Sequence, residues 1–145
     1  MIQSIDISAV LHQAVRVSYA DLVTRPTGRA VREHIEQVFM AGPGAVARMD
    51  FTGVRCIDYS CADEIVAKLV RERLRVLVLC GCSDGHLEAL GPVLEGHGLA
   101  AVFERPDGTL GGLGPQESAE ALLEELVALR LATRTPGGAV ALVAA

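Results

Sequence analysis

The sequence has few aromatic residues, no tryptophan and a single lysine. Two Tyr and three Phe occur among 145 residues, although half of the chain is hydrophobic. The core therefore has to be built from Val, Leu, Ile and Ala, a composition that suits a parallel or mixed sheet buried between helices. The same scarcity leaves few rings that could stack on a base or a flavin.

Long apolar runs are missing too. No stretch approaches the roughly 18 apolar residues of a membrane span, and the N-terminus lacks a basic segment followed by a long apolar core. We therefore expect a cytoplasmic protein without a membrane partner. The length of 145 residues fits one ordinary domain.

Positive charge is scarce in the second half of the chain. Residues 84–130 contain nine acidic side chains and only two arginines, within a net charge of −5. Such a balance argues against nucleic acid as a partner. The zinc-protease pattern H-E-x-x-H and the glycine-rich phosphate loop are also absent. We therefore predict that the chain is not an enzyme and uses no cofactor.

The four cysteines have no metal-binding spacing. Cys56 and Cys61 form C-x4-C, and Cys80 and Cys82 form C-x-C, so the C-x2-C knuckle of a zinc site is missing. We expect reduced thiols and no metal. Because Cys80 and Cys82 come directly before a predicted helix, a redox-sensing thiol stays open as an alternative.

The hydrophobic pattern predicts an α/β fold, with a mixed, largely parallel sheet of four to five strands and helices packed on it. Predicted strands cover residues 4–10, 16–19, 45–51, 74–79, 100–104 and 139–143. Predicted helices cover residues 29–40, after a break at 26–28, then 60–73, a segment from Ser83 to Gly96 or Gly98, and 115–131. We divide the chain into a domain, residues 1–104, and a helix-strand extension, residues 105–145, docked on that domain.

The segment MDFTGVRCIDYSCADEIV, residues 49–66, resembles the central signature of STAS domains, the modules of anti-sigma factor antagonists and sulfate transporters. A variant STAS-like group, with a D-F-x-G-V strand and an A-D-E helix start, is more similar still. Residues 24–32 resemble the start of that group's first helix, and the likeness extends over residues 22–104. It implies a non-catalytic regulatory module whose partner is a protein such as a kinase-type anti-sigma factor.

The resemblance also implies a site at the start of the second main helix. Asp58, Tyr59, Ser60, Asp63 and Glu64 would contact the partner. The family's switchable members have Asp-Ser-Ser-Gly where this chain has Asp-Tyr-Ser-Cys, so the phosphorylation candidates are Ser60 and, at the family's usual position, Tyr59. Ser60 would also serve as the helix N-cap in an S-x-x-D capping box with Asp63.

Competing interpretations remain for these residues. Ser60 could act only as a cap, Asp58 could only hold the loop through backbone hydrogen bonds, and the two acidic residues after them could only favour the helix dipole. Arg25, Arg29 and Arg32 form a weak candidate for an anion or nucleotide site, against a solvated helix start.

The remaining alternatives concern histidines, the extension and self-association. His34, His86 and His97 are expected at the surface. Residues 122–143 resemble half of a winged helix, which would imply DNA binding, and a homodimer stays open.

Overall fold

The fold is an α/β sandwich built on one central sheet. The computed structural model describes residues 2–15, 20–38 and 45–143. The strands in chain order are β1 (Ile2–Asp6), β2 (Asp21–Leu22), β3 (Ala45–Asp50), β4 (Cys56–Ile57), β5 (Leu74–Cys80), β6 (Ala101–Glu104), β7 (Leu110–Leu113), β8 (Ala132–Arg134) and β9 (Val140–Leu142).

Helices separate most of these strands. They are α1 (Ile7–Val15), α2 (Arg25–Val38), α3 (Tyr59–Cys61), α4 (Lys68–Glu72), α5 (Asp84–His97) and α6 (Gln116–Ala128). Between α3 and α4, Ala62–Ala67 wind as a π-helix. Residues 59–72 therefore form one continuous helix, which we call the central helix.

The main sheet has the strand order β1-β3-β5-β6-β7. Strands β1, β3, β5 and β6 run parallel to one another, and β7 is antiparallel to β6. This confirms the predicted α/β fold with a mixed, largely parallel sheet. Beside it, β2 and β4 form a short parallel pair, and β8 and β9 form an antiparallel hairpin.

Both faces of the sheet are covered. Ala47, Met49, Leu77 and Leu79 point to the first face and share a core with residues of α1, α2, the central helix and α5. The second face carries a row of valines that packs against α6 and the β8–β9 hairpin; the valines are Val46, Val76, Val78 and Val102. Helix α6 and the hairpin, which belong to the C-terminal segment (residues 105–143), thus cover the second face of the sheet.

Several boundaries differ from the sequence prediction. The strand predicted at residues 4–10 ends at Asp6, because the Asp6 carboxylate accepts a hydrogen bond from the Ala9 amide (3.1 Å) and starts α1. The strand predicted at 16–19 lies outside the described residues. Helix α2 begins at Arg25 and not at Arg29, since Pro26 is tolerated in a first helical turn.

Two strands were missed in the C-terminal segment. The glycine-rich stretch 109–114, expected to be a connection, contains β7, in which Gly112 lies so close to Ala119 of α6 that an added Cβ would be 2.5 Å from the Ala119 Cβ. Glycine here permits close packing of strand and helix. The predicted final strand exists as β9, and β8 pairs with it.

Candidate functional site

Two helices begin side by side at one corner of the molecule. In the short parallel pair, Leu22 lies opposite Ile57, and each strand leads almost directly into a helix. The amide of Asp58 donates to the carbonyl of Leu22 (2.9 Å), which extends this pairing by one step. We call residues 58–64 the corner; they contain all the residues predicted to bind a partner.

Asp58 holds the corner together. Its Oδ1 accepts hydrogen bonds from the Cys61 amide (2.8 Å) and the Ser60 hydroxyl (2.7 Å), and its Oδ2 accepts one from the Thr24 amide (2.9 Å). Burial alone would raise the pKa of Asp58, but the hydrogen bonds from Cys61, Ser60 and Thr24 outweigh it and hold the pKa below its ordinary value. Asp58 therefore holds the loop through hydrogen bonds, which was one of the two interpretations given for it.

The N-cap of the central helix is Asp58 and not Ser60. The predicted capping box of Ser60 with Asp63 is wrong, because the helix begins at Tyr59 and Ser60 already lies inside its first turn. The Ser60 hydroxyl donates to the cap carboxylate instead of accepting from a helix amide.

Thr24 has a left-handed backbone, with φ of 69°. This is unfavourable for a β-branched residue. Its amide is bound to Asp58, and its carbonyl accepts from the Gly28 amide (3.2 Å) and the Cys61 thiol (3.1 Å). The start of α2 is thus tied to the start of the central helix.

Glu64 is fully buried, at 0% exposure. Lys68 Nζ lies 2.7 Å from its Oε2, and one guanidinium nitrogen each of Arg25 and Arg29 lies 3.6 Å from the carboxylate. Burial by itself raises the pKa of Glu64, but the hydrogen bond and charge of Lys68, with Arg32 and Arg25, bring the pKa below its ordinary value. Glu64 therefore does not belong to the partner-contacting surface, contrary to the prediction.

The three arginines of the weak anion-site candidate are all engaged with carboxylates. Arg25 binds Asp63 (2.8 Å) and Arg29 approaches Glu64, while Arg32 pairs with Glu36 one turn further along α2. An anion at this helix start would have to displace these carboxylates. The expectation of an anion or nucleotide site here is therefore not supported by the geometry.

Asp63 connects three helices. Its Oδ2 accepts from Arg25 of α2, and its Oδ1 lies 2.7 Å from Nε2 of His97 at the end of α5. Burial would raise the pKa of Asp63, but Arg25 and His97 together lower it. Sequence separation hid this contact, because Asp63 and His97 are 34 positions apart in the chain.

The other two histidines that were expected at the surface, His34 and His86, have different surroundings. His34 is half-buried and lies 3.0 Å from Gln13. His86, which we expected at the surface, is buried at 3% exposure, because its Nδ1 accepts from the Ser83 amide (3.0 Å) in a capping box at the start of α5. Burial lowers the pKa of His86.

Tyr59 stands between two shallow depressions at the corner and is 63% exposed. Both lie between the corner and α5: one, of about 590 Å³, is beside the second half of α5, and the other, of about 300 Å³, is beside its first turns. Pro92 and Val93 of α5 contribute apolar surface to the larger one. Of the C-terminal residues that the structure describes, 105–143, none lines either depression.

Residues 81–85, Gly-Cys-Ser-Asp-Gly, match the G-x-S-x-G pattern of hydrolase nucleophiles and run from the turn after β5 into the first two residues of α5. Ser83, however, has an ordinary extended backbone (φ −79°), and its hydroxyl accepts from the His86 amide (3.2 Å) as a helix cap. The pattern therefore describes a helix start.

The thiols near this turn are not activated. Burial raises the pKa of Cys80 to about 11 and that of Cys82 to about 12, so both stay protonated at neutral pH. The redox alternative has no support from this environment. Within residues 2–15, 20–38 and 45–143, no group of three His, Cys, Asp or Glu side chains could hold a metal ion.

The described helices are too short or too polar to cross a membrane. Comparison with known proteins adds no identification: no family model, no curated protein and no solved structure shows a significant match to this chain.

Proposed function

We propose that this chain is a non-catalytic, cytoplasmic regulatory module of the STAS-like type that binds a protein partner through the corner. The proposal rests on the resemblance of residues 49–66 to the STAS signature and on one observation, the exposure of Tyr59. Among the large hydrophobic residues that the structure describes, Tyr59 is the most exposed, at 63%. Tyrosine is enriched among the residues that contribute most to protein interfaces.

The contact surface that we propose consists of Tyr59, Ser60 and Asp63 with the two depressions beside them. Asp58 shapes this surface by capping the helix, and the buried Glu64 stabilises it from beneath through Lys68. The partner that the resemblance suggests is a kinase-type anti-sigma factor. Pro92 and Val93 of α5 would add apolar contact to the tyrosine ring.

Phosphorylation of Ser60 would switch this surface off. A phosphate adds about −1.5 to −2 charges, and the Ser60 oxygen is only 2.7 Å from Asp58 Oδ1. The modification would remove the hydroxyl hydrogen bond and place like charges beside each other. A phosphate on Tyr59, the second candidate, would act on the exposed ring itself.

The other two classes of function lack a supporting observation. The arginines expected to hold a nucleotide phosphate are engaged with carboxylates. The half winged helix does not present a DNA-binding helix, because α6 buries Leu126 against the sheet and exposes Glu117, Glu120 and Glu124. Such an acidic surface repels phosphate backbones.

The contact surface can be tested by calorimetric titration of the chain with a purified kinase-type anti-sigma factor from the same organism. Tyr59→Ala should weaken binding by about 30-fold, the loss of one interface hot spot of about 2 kcal/mol. Val38→Ala is the matched control, since Val38 is also exposed (56%) but lies at the far end of α2. Equal losses in the two variants, or no binding by the unmodified chain, would overturn the proposal.

The switch needs a separate titration with the same partner. Ser60→Asp should weaken binding at least tenfold, whereas Ser60→Ala, which removes the hydroxyl without adding charge, should bind nearly as the unmodified chain does. Unchanged affinity of the Ser60→Asp variant would remove Ser60 from the switch and leave Tyr59 as its remaining candidate.

A further inference from the structure

A groove runs along one face of α5, beside the corner. The two depressions that share Tyr59 both have α5 as a wall, so together they form this groove. The α5 residues that line it recur every three or four positions, which places them on one face of the helix. Those with small or aliphatic side chains are Gly85, Ala89, Pro92, Val93 and Gly96. At 1.5 Å per residue, the groove follows α5 for about 17 Å.

Glycines leave the backbone of α5 bare at both ends of the groove. A Cβ at Gly96 would have no other part of the molecule within 4 Å, and one at Gly85 would meet only the Ser83 hydroxyl oxygen, at 3.7 Å. Contacts within the described part of the chain therefore do not require glycine at either position, although glycine is unfavourable inside a helix. The bare backbone does let another chain approach α5 closely.

Carboxylates follow the groove along α5. Asp84, Glu88 and Glu95 are separated by four and seven residues, which places them on one side of the helix, and all three are exposed. Within the described part of the chain, no cationic side chain pairs with any of them. Arg25 and His97, which line the larger depression, both bind a carboxylate of the corner. The groove therefore presents an excess of negative charge.

We propose that the groove binds an amphipathic helix of a protein partner. Apolar side chains of that helix would lie in the depressions beside Tyr59, and its lysine or arginine side chains would meet Glu88 and the neighbouring carboxylates. An extended peptide gains affinity by adding to the edge of a sheet, and α5 offers no such edge. A helix needs close approach and complementary charge, which the glycines and the carboxylates provide.

This inference rests on the proposed function, because the partner would use the same corner, and it adds the form and the charge of the segment that binds. Two synthetic helical peptides of about 18 residues, long enough to span the groove, test it without the partner. Both have the same leucine and alanine face, and the polar face carries lysine in one peptide and glutamate in the other.

Calorimetric titration of the intact chain at low ionic strength compares the two peptides. The lysine peptide should bind roughly tenfold more tightly than the glutamate peptide, because only its charge complements the groove. Equal affinity of the two peptides, or no binding of the lysine peptide, would overturn the proposal.

Variants then locate the binding. Gly96→Val should weaken binding of the lysine peptide roughly tenfold, because the added side chain occupies the groove without meeting the rest of the molecule. Gly137→Val in the C-terminal hairpin is the matched control and should bind normally, since a Cβ there would also have no atom closer than 3.9 Å. Glu88→Gln should weaken binding about threefold and reduce its dependence on salt, whereas the exposed Glu117→Gln on α6 should change neither. Normal binding by Gly96→Val, or equal losses in a variant and its control, would refute the assignment.

The kinase-type anti-sigma factor separates this inference from the proposed function. If Tyr59→Ala weakens binding of that partner and Gly96→Val does not, the groove is refuted and the contact surface remains. If the lysine peptide depends on Gly96 but the anti-sigma factor does not bind at all, the groove remains and the proposed partner is wrong. A chain that dimerises in analytical ultracentrifugation and loses its dimer in Gly96→Val would overturn the proposal, because a second copy would then occupy the groove.

Discussion

Replacing Asp58 by alanine should destabilise the protein by about 2–3 kcal/mol. Loss of a helix N-cap costs about 1 kcal/mol. Hydrogen bonds to a charged group contribute about 1.5–3 kcal/mol each, but the Thr24 amide and the Ser60 hydroxyl, which also donate to Asp58, are near enough to solvent that water replaces part of this energy. For a chain of this size we expect the melting temperature to fall by roughly 6–9 °C.

Urea unfolding followed by circular dichroism measures this loss. Asp58→Asn is the informative control, because asparagine keeps one acceptor oxygen for the Cys61 amide and caps helices well. It cannot accept from the Thr24 amide at the same time through its NH₂ group. We expect about 1 kcal/mol of destabilisation from it, roughly half of the alanine effect.

The dependence on pH provides a second check. Because the folded pKa of Asp58 is depressed, its contribution to stability is complete above the unfolded value of about 3.8 and is lost as pH falls through the folded pKa. The difference between the unmodified chain and Asp58→Ala should therefore shrink below that pH. A loss under 0.5 kcal/mol at pH 7, or a difference that does not change with acid, would refute the role given to this carboxylate.

Three further predictions follow from buried groups. His86→Gln keeps a side-chain acceptor for the capping box but removes a histidine whose pKa is lowered. The unmodified chain should lose stability as pH falls below about 6.5, because the unfolded chain then binds a proton that the buried imidazole resists. The variant should not show this loss, and urea titrations at about pH 7 and 5.5 would measure the difference. Gly28→Val should lower the unfolding free energy by about 1–3 kcal/mol, because a Cβ at position 28 would lie 3.0 Å from Cys61 Cα. Gly96→Val is the control: a Cβ at position 96 would have open space around it, so the unfolding free energy should change by less than about 0.5 kcal/mol. Truncation after residue 104 should abolish cooperative unfolding in calorimetry, since it uncovers the second face of the sheet.

The parts of the fold that could be predicted from sequence have strong local signals. The aliphatic run at residues 74–79 predicts a strand buried on both faces, and the structure has β5 there. The start of α5 after Ser83 was also predicted correctly, and of the two glycines predicted to end it, Gly96 and Gly98, the structure uses Gly98, which has φ of 67°. Ordinary capping residues mark both ends of this helix.

The helix and strand boundaries that were predicted wrongly lie where the local sequence fits more than one structure. Residues 4–10 alternate as a strand does, but the same side chains suit a short helix once Asp6 caps it. Proline and glycine at positions 26 and 28 usually break structure, yet in α2 the first lies in the initial turn and the second permits close contact with Cys61. Only the neighbouring helix explains that glycine.

The burial of Glu64 was missed because it depends on a neighbouring helix and not on the local sequence. An acidic residue in the first turns of a helix favours the dipole and is usually exposed, so its burial depends on α2 lying alongside. One signal was available: the only lysine of the chain follows it by four residues, a spacing that brings two side chains together on a helix. The link from Asp63 to His97 had no comparable signal.

The geometry of the corner separates its surface from its scaffold, and the two should respond differently to substitution. Tyr59 projects into solvent, so Tyr59→Ala should reduce partner affinity while leaving the unfolding free energy within about 0.5 kcal/mol. Asp58 holds Thr24, Ser60 and the helix start together, so its loss should reduce affinity and stability in parallel. A charge at Ser60 acts on that same carboxylate. If Ser60→Asp lowered affinity without any change in stability, the switch would act by repelling the partner and not by loosening the start of α2.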